Sequence, residues 1–426
     1  MSEVAKKSNI ISAMFLVGGT CIGGGMLALP IATGISGFLP SLAVMTVCWL
    51  AMTATALLLL EVSLWMEEGV HVITMSSRLL GLPARVVSWI LYLFICYASL
   101  VAYTAAGGVQ VAQGVTQALG IEFSRDWGAA LFVIAFGGVI YLGSHTVGRV
   151  NSILFIALIA AYLVLVSAGS SEVKPALLVK QNWSTALLAL PLLLTSFSFQ
   201  TMVPSLTPYL KKHVKGLRLA IIGGTFIAFL VYAIWEALIL GIVPIEGPNG
   251  LAEALMRAES PTQFLSEHVR WRWIGHLAEF FAFFAIVTSF LGMALGLFDF
   301  LADGLHIKKQ GWGSLALGLL IAAPTLVCAI LFERIFLLAL DTSGGYGDTI
   351  LNGLIPVMMV WVGRYKMGYN HAIQLPGGKA MLIAIAIFFG SALCMEIAAH
   401  AKLIPSLYDA YELLEQAIPE LKEESA

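Results

Sequence analysis

Gly18-Gly19-Thr20-Cys21-Ile22-Gly23-Gly24-Gly25-Met26-Leu27-Ala28-Leu29-Pro30 stands inside a run without charge that extends from Ser8 to Leu60. Five of the eight positions from Gly18 to Gly25 are glycine. Each glycine in a helix interior costs about 1 kcal/mol relative to alanine. Such a stretch predicts a helix that unwinds partway. Non-helical backbone at membrane depth is tolerated only where protein buries it or where it lines a cavity, so the run predicts a polytopic membrane protein with an internal site.

The surrounding sequence agrees. Of 426 residues, 59% are hydrophobic and 11% charged, and the mean hydropathy is +0.91; a soluble domain carries about 25% charged residues. Val86 to Ile121, Gln181 to Leu210 and Gln310 to Phe332 are also uncharged. A spanning helix needs roughly 20 such residues. Lys6 and Lys7 precede the first run as they would in a signal peptide, but the run outlasts a leader, so a retained first helix is expected. Cys21, Cys48, Cys96, Cys328 and Cys394 lie in apolar runs without metal-ligand spacing and read as small buried hydrophobes. The net charge of -2 argues against a nucleic-acid partner.

Eleven spans are expected, at about 9–35, 38–66, 84–118, 127–143, 148–169, 184–210, 217–243, 273–303, 312–332, 334–363 and 378–400, with short surface helices from Asn249 and Pro261. The sixth is interrupted as well: Ser196-Phe197-Ser198-Phe199-Gln200-Thr201 is followed by Pro204 and Pro208. Breaks in the first and sixth spans point to a repeated unit of five helices in inverted orientation, with a substrate site at the repeat interface. The whole chain, 1–426, then forms one transporter domain: a first repeat over 1–170, a second over 184–363, an eleventh helix over 378–400 and a tail over 401–426. Half-helix N-termini present free N–H groups and a positive dipole end, which suit a carboxylate. The alternative for the glycines is close helix packing. A dinucleotide fingerprint match at Gly23-Gly24-Gly25-Met26-Leu27-Ala28 is discarded because no strand precedes it, and no cofactor is expected.

Basic residues set the orientation. With the N-terminus inside, Lys6, Lys7, Arg78, Arg85, Arg149, Lys211, Lys212, Lys215, Arg218, Lys308, Lys309, Arg364, Lys366 and Lys379 are cytoplasmic. Arg125, Lys174, Lys180, Arg257, Arg270, Arg272, Arg334, Lys402 and Lys422 are outside, a division of 14 against 9. Eleven crossings leave the acidic tail, Glu412 to Glu424, on the periplasmic side.

The glycine-rich stretch through Pro30 looks like the first-helix signature of bacterial tyrosine and tryptophan permeases. These belong to the hydroxy/aromatic amino acid permease family within the amino acid-polyamine-organocation superfamily. Thr195-Ser196-Phe197-Ser198-Phe199 with Val203-Pro204-Ser205 resembles their sixth-helix motif, and Thr288-Ser289-Phe290-Leu291-Gly292-Met293-Ala294-Leu295-Gly296-Leu297-Phe298-Asp299 their eighth. With Leu60-Glu61-Val62, these motifs cover about the first 300 residues. The resemblance implies an all-α LeuT-type fold with eleven helices in the bacterial inner membrane, and uptake of an aromatic amino acid, tyrosine foremost, by proton symport. One departure matters: the family pattern often places a His after the second Phe of the sixth-helix motif, where this chain has Gln200. A proton site on that His is not carried over.

Substrate contacts are expected from Gly18, Gly19, Thr20, Cys21, Gly23, Gly24 and Gly25 in the first break and from Phe197, Ser198, Phe199 and Gln200 in the sixth. Tyr103 of the third span, more than Tyr97, would close over a carboxylate, with a core aromatic as the alternative. Seven acids fall in or at the ends of spans: Glu61, Glu236, Glu279, Asp299, Asp341, Asp348 and Glu396. A charge at bilayer centre costs about 2.5–3.5 kcal/mol on insertion scales, and no Lys or Arg lies deep in a span to neutralise it. In the implied fold Glu61 supports the unwound turns or carries a proton. Asp341, Asp348 and Asn352 share a helix face and could line the outer pathway; Glu236, Glu279 and Glu396 are expected at the interface. Thr288 and Ser289 are candidates for a cation site, as in sodium-coupled relatives, although membrane hydroxyls more often bond their own backbone four residues back.

The partners expected are therefore an aromatic amino acid, a proton or sodium ion, and the lipid bilayer. A passive channel would show a selectivity-filter sequence or rings of like charge. A membrane enzyme or complex subunit would show clustered His or Cys ligands or Lys–Glu chains. The sequence has none of these, and no catalytic constellation.

Overall fold

A computed structural model describes residues 3–67, 70–247, 249–257, 261–332, 335–369 and 374–417. Arg334, Lys422 and the end of the acidic tail lie outside them. The described residues form helices and turns, with no strand. This is the only open-ended way to pair every backbone group in hydrocarbon.

The first half runs α1 (Glu3–Cys21), α2 (Gly24–Gly34), α3 (Phe38–Trp65), α4 (Val72–Leu80), α5 (Leu82–Leu119), α6 (Arg125–Tyr141) and α7 (Ser144–Gly169). After the short α8 (Pro175–Leu178), the sixth span is assembled from a 3-10 stretch, Trp183–Ala189, then α9 (Leu190–Ser196), a 3-10 turn, Gln200–Met202, and α10 (Val203–Tyr209). Then come α11 (Val214–Ile242), α12 (Leu251–Arg257), α13 (Pro261–His268), α14 (Arg272–Gly304), α15 (Trp312–Leu331) and α16 (Ile335–Thr342). A π-helical segment, Ser343–Leu354, precedes α17 (Ile355–Tyr365), α18 (Gly378–His400) and α19 (Leu407–Ala417).

Among the described residues eight helices are long and apolar enough to cross a membrane, or nine when α1 and α2, bent by 54° at their break, count as one span. The expected fourth and tenth spans differ. α6 has 17 residues, the lower limit for a crossing of roughly 17–25, and the tenth is divided by the π segment.

Burial separates the lipid-facing helices from the central ones. Ile134 of α6, Ile156 of α7, Leu331 of α15 and Ile387 of α18 point outward, while every residue of α2 and most of α9 are buried. The two short half-helices pack on each other at the centre; α1 lies along α11, and α14 lies along α5 and α7. Gly37 fixes the exit of the first span. Its φ of +82° suits glycine, and a side chain would collide with the Lys180 carbonyl. The Asn182 N–H donates to the Ser36 carbonyl at 2.8 Å beside it, joining the exit of the first span to the segment that leads into the sixth.

Three features depart from expectation. The helices from Leu251 and Pro261 form, but they are not superficial: Leu251, Leu255, Phe264 and Leu265 are buried against α2 and α14. α4 and α19 were not expected. α19 brings Tyr411 onto the Ile31 carbonyl of α2 at 2.5 Å, so the start of the tail is docked.

Candidate functional site

The first break is sharp. The Ile22 N–H still reaches the Gly18 carbonyl at 2.9 Å, but Gly23 is extended, with φ -161° and ψ -155°. α2 begins at Gly24, whose N–H donates to Ser289 Oγ of α14 at 2.9 Å. A side chain on Gly23 would run into the same hydroxyl, and one on Gly24 would lie 2.5 Å from the Tyr103 ring. On Gly25 a Cβ would meet Ser196 Oγ at 3.4 Å. These three glycines therefore let α14, α5 and α9 close around the turn.

Gly18 and Gly19 do something else. A Cβ on Gly18 would sit 3.0 Å from the Gly224 carbonyl oxygen, and one on Gly19 would sit 2.9 Å from Phe155. For these two the packing alternative describes the surroundings. Thr20 is exposed and donates to the Leu16 carbonyl at 2.7 Å, with Met202 Sδ at 3.1 Å. Cys21 is buried and contributes its carbonyl.

In the sixth span α9 ends at Ser196, and Phe199 has φ -144° and ψ 1°. Gln200 is wholly buried. Its Oε1 accepts the Phe199 N–H at 2.9 Å and its Nε2 donates to the Met52 carbonyl at 3.1 Å. It stitches the unwound strand to α3, a use of an amide that a titratable ring does not share. Phe197 and Phe199 are both buried, and Phe197 packs edge-on against Tyr232 at 5.1 Å between ring centroids.

Tyr232 of α11 joins the two breaks. Its hydroxyl lies 2.6 Å from the Cys21 carbonyl and 2.8 Å from the Ser196 carbonyl. Its single proton is shared between the C-terminal ends of α1 and α9, the carbonyls that helix geometry leaves without partners. Ser196 was noted from sequence only as part of the sixth-span interruption, and Tyr232 was not singled out. A tyrosine among apolar residues in one helix carries no sign of which distant carbonyls it will reach.

Tyr103 packs over Gly24, with Ser289 and Ser99 beside its hydroxyl. Tyr97 points away and donates to the Leu320 carbonyl of α15 at 3.0 Å. Thr288 back-bonds to Phe284 at 2.8 Å, which leaves Ser289 as the hydroxyl at the first break. Asp348 is fully buried against the sixth break: its Oδ1 accepts from Ser198 Oγ at 2.5 Å and from Asn352 Nδ2 at 2.6 Å. It faces the break.

Other acids correct the sequence reading. Glu61 does have a cation: Arg364 of α17 donates to it through Nε at 2.7 Å and again through Nη2. The pair is buried, so Glu61 stands with Arg364. Glu236 and Glu396 are buried instead of interfacial. Glu236 accepts from Thr33 at 2.7 Å, and Asp341 is close enough to Glu396 for their charges to interact. Asp299 is exposed and pairs with Lys309 at 2.8 Å. No group of three or more His, Cys, Asp or Glu able to hold a metal is found among the described residues.

Known proteins share this fold. The structure of MhsT, solved in complex with L-phenylalanine, matches with a TM-score of 0.62 over 94% of this chain and 98% of that one. At 15% identity the likeness speaks to the fold: a LeuT-like inverted repeat with broken first and sixth helices. A tryptophan-specific transport protein of Shigella flexneri is 30% identical over 93% of this chain and 97% of its own length. A tyrosine-specific transport system of Haemophilus influenzae is 29% identical over 88% and 94%, and a tryptophan-specific transport protein of Pseudomonas aeruginosa 26% over 90% and 93%. The relatives are named transport proteins and permeases, not enzymes. The sequence profile of one family matches residues 6–396, and this multi-pass membrane protein belongs to the tryptophan/tyrosine permease family.

Proposed function

We propose that the chain imports aromatic amino acids, tyrosine foremost, across the bacterial inner membrane by proton symport. One observation carries the reading: Tyr232 ties the ends of α1 and α9 together, so α2 begins and both half-helices end at one buried point. An amino acid presents a carboxylate and an ammonium to such a point, one for N–H groups and one for carbonyls. Charge-assisted hydrogen bonds of this kind contribute about 1.5–3 kcal/mol each. Phe197 and Phe199 would form the wall for an aromatic ring. Relatives named for tryptophan and tyrosine, and a fold neighbour holding L-phenylalanine, support that class of side chain.

Eleven spans with a cytoplasmic N-terminus and a periplasmic C-terminus remain the topology of this reading, supported by the excess of basic residues on one side. A sodium-coupled cycle is the second reading, favoured by the contact of Ser289 with the first break. Uptake into proteoliposomes decides between them. An imposed pH gradient without sodium should drive tyrosine accumulation that an uncoupler collapses, with tryptophan and phenylalanine competing. Strict dependence on sodium would overturn proton coupling, and equilibration without accumulation would overturn symport.

A further inference from the structure

Resting on the proton-symport reading, we propose that Asp348 is the proton-binding carboxyl of the transport cycle, holding the coupling proton on Oδ2 beside the broken sixth span.

Ser343–Leu354 is π-helical over 12 residues, a form that recurs at functional sites because it widens the helix and redirects side chains. Glycines let neighbours close on it: Gly344 lies against the Pro191 carbonyl of α9, Gly345 against Glu396 of α18, Gly347 against Ile95 of α5 and Gly353 against Phe389 of α18. The packing delivers Asp348, entirely buried, to Ser198 in the unwound part of the sixth span.

The two carboxyl oxygens differ. Oδ1 accepts from Ser198 and Asn352, and Asn352 Nδ2 also lies 3.0 Å from Ser198 Oγ. Thr195, also beside the carboxyl, gives its proton to the Leu340 carbonyl at 2.7 Å. Oδ2 is buried with no hydrogen-bond partner among the described residues. A carboxylate needs donors on both oxygens when taken out of water, and this one has them on one. A proton on Oδ2 removes the charge and leaves both Oδ1 hydrogen bonds in place.

Among the described residues no neighbouring element sets a cation against Asp348: Lys379 of α18 lies over the Trp361 and Tyr365 rings of α17, and His400 of α18 lies 3.3 Å from Glu396. α5 offers the Cys96 thiol and the Tyr103 phenol, which both interact electrostatically with Asp348. α9 has no titratable side chain. Glu396 and His400 of α18 stand beside Gly345 and Tyr346, and Glu396 interacts with Asp341 of α16. Arg364 of α17 is engaged by Glu61 of α3. The ionised state of Asp348 therefore depends on what enters the substrate site or on a proton. Its protonation is linked to the sixth-span break through Ser198: a proton on Oδ2 breaks no bond, but it turns the charge-assisted bond from Ser198 to Oδ1 into a weaker neutral one. With Gln200 in the sixth span committed to α3, Asp348 is, among the described residues, the carboxyl hydrogen-bonded to that break, where Tyr232 offers only a phenol.

The test uses the full chain in proteoliposomes, with wild type, Asp348→Asn, Ser198→Ala and Asn352→Ala. Wild type driven by sodium and not by a pH gradient would overturn the symport reading beneath the proposal. With wild type driven by the pH gradient, Asp348→Asn should lose accumulation entirely, while tyrosine–tyrosine exchange persists and no longer varies with pH. Gradient-driven accumulation by Asp348→Asn, or loss of its tyrosine binding at every pH, would overturn the assignment of the proton to Asp348. Ser198→Ala and Asn352→Ala keep the carboxyl and remove one donor each, so both should move the pH of half-maximal uptake in the same sense. An unmoved profile in both would overturn the proposal even if Asp348→Asn does not fold.

Discussion

The Gly24 N–H donates to Ser289 Oγ at 2.9 Å, and this bond sets how the first break meets α14. A side chain on Gly23 would occupy the position of that hydroxyl, so Gly23→Val must turn Ser289 away and open the bond. We expect Gly23→Val to abolish tyrosine, tryptophan and phenylalanine binding alike while the protein remains inserted. Gly18→Ala meets only a carbonyl at 3.0 Å and should retain binding. Equilibrium binding on purified protein checks both; unchanged affinity in Gly23→Val would make the glycine a packing residue.

Tyr232→Phe tests the link between the breaks. The substitution keeps the ring that packs on Phe197 and removes the donor shared by the Cys21 and Ser196 carbonyls. Leaving a buried acceptor unsatisfied costs about 1–3 kcal/mol. Thermal unfolding in detergent should show that loss, with weaker substrate binding beside it. Wild-type stability and affinity in Tyr232→Phe would mean that the hydroxyl holds nothing together.

Much of this was readable in the sequence because glycine and proline act locally. The glycine run marks the first break and the Pro204 region the sixth, and span boundaries follow from where charge stops. Contacts between distant segments left no such mark. Glu61 and Arg364 are 303 positions apart, and each reads alone as a charge near a span end. The π segment was missed because Ser343-Gly344-Gly345-Tyr346-Gly347 differs from an ordinary flexible helix only once its neighbours press on it. α19 was read as tail because its acidic side chains outweigh apolar ones such as Leu407 and Tyr411, which are buried.

α19 should come loose in acid. Ser406 precedes the helix, and its N–H and hydroxyl donate to Asp409 at 2.8 and 2.7 Å. These bonds, the backbone one first, hold the Asp409 carboxyl below its ordinary range. A depressed folded value means stabilisation that is present above the unfolded value, about 3.9, and lost as pH falls through the folded one. Protection factors against hydrogen exchange across α19 should fall below about pH 4. Ser406→Ala should lower them at neutral pH by an amount equivalent to about 1 kcal/mol. Protection unaffected by either change would show that Tyr411 alone secures the helix.

Glu61 and Arg364 form a pair whose parts cannot be removed one at a time. Their side chains are 0% and 5% exposed, and Arg364 engages both carboxylate oxygens through Nε and Nη2. Removing one partner of such a pair leaves an uncompensated buried charge and costs about 3–5 kcal/mol, whereas apolar replacement of both is often neutral. Glu61→Gln should therefore lower thermal stability strongly, and Glu61→Leu combined with Arg364→Met should recover most of it. The same double variant separates two roles for Glu61. A proton carrier cannot be replaced by leucine, so gradient-driven uptake would vanish even in a stable double variant. A structural tie can be replaced, and we expect the stable double variant to accumulate tyrosine under a pH gradient. Recovered stability without driven uptake would return Glu61 to the coupling machinery and take the proton away from Asp348.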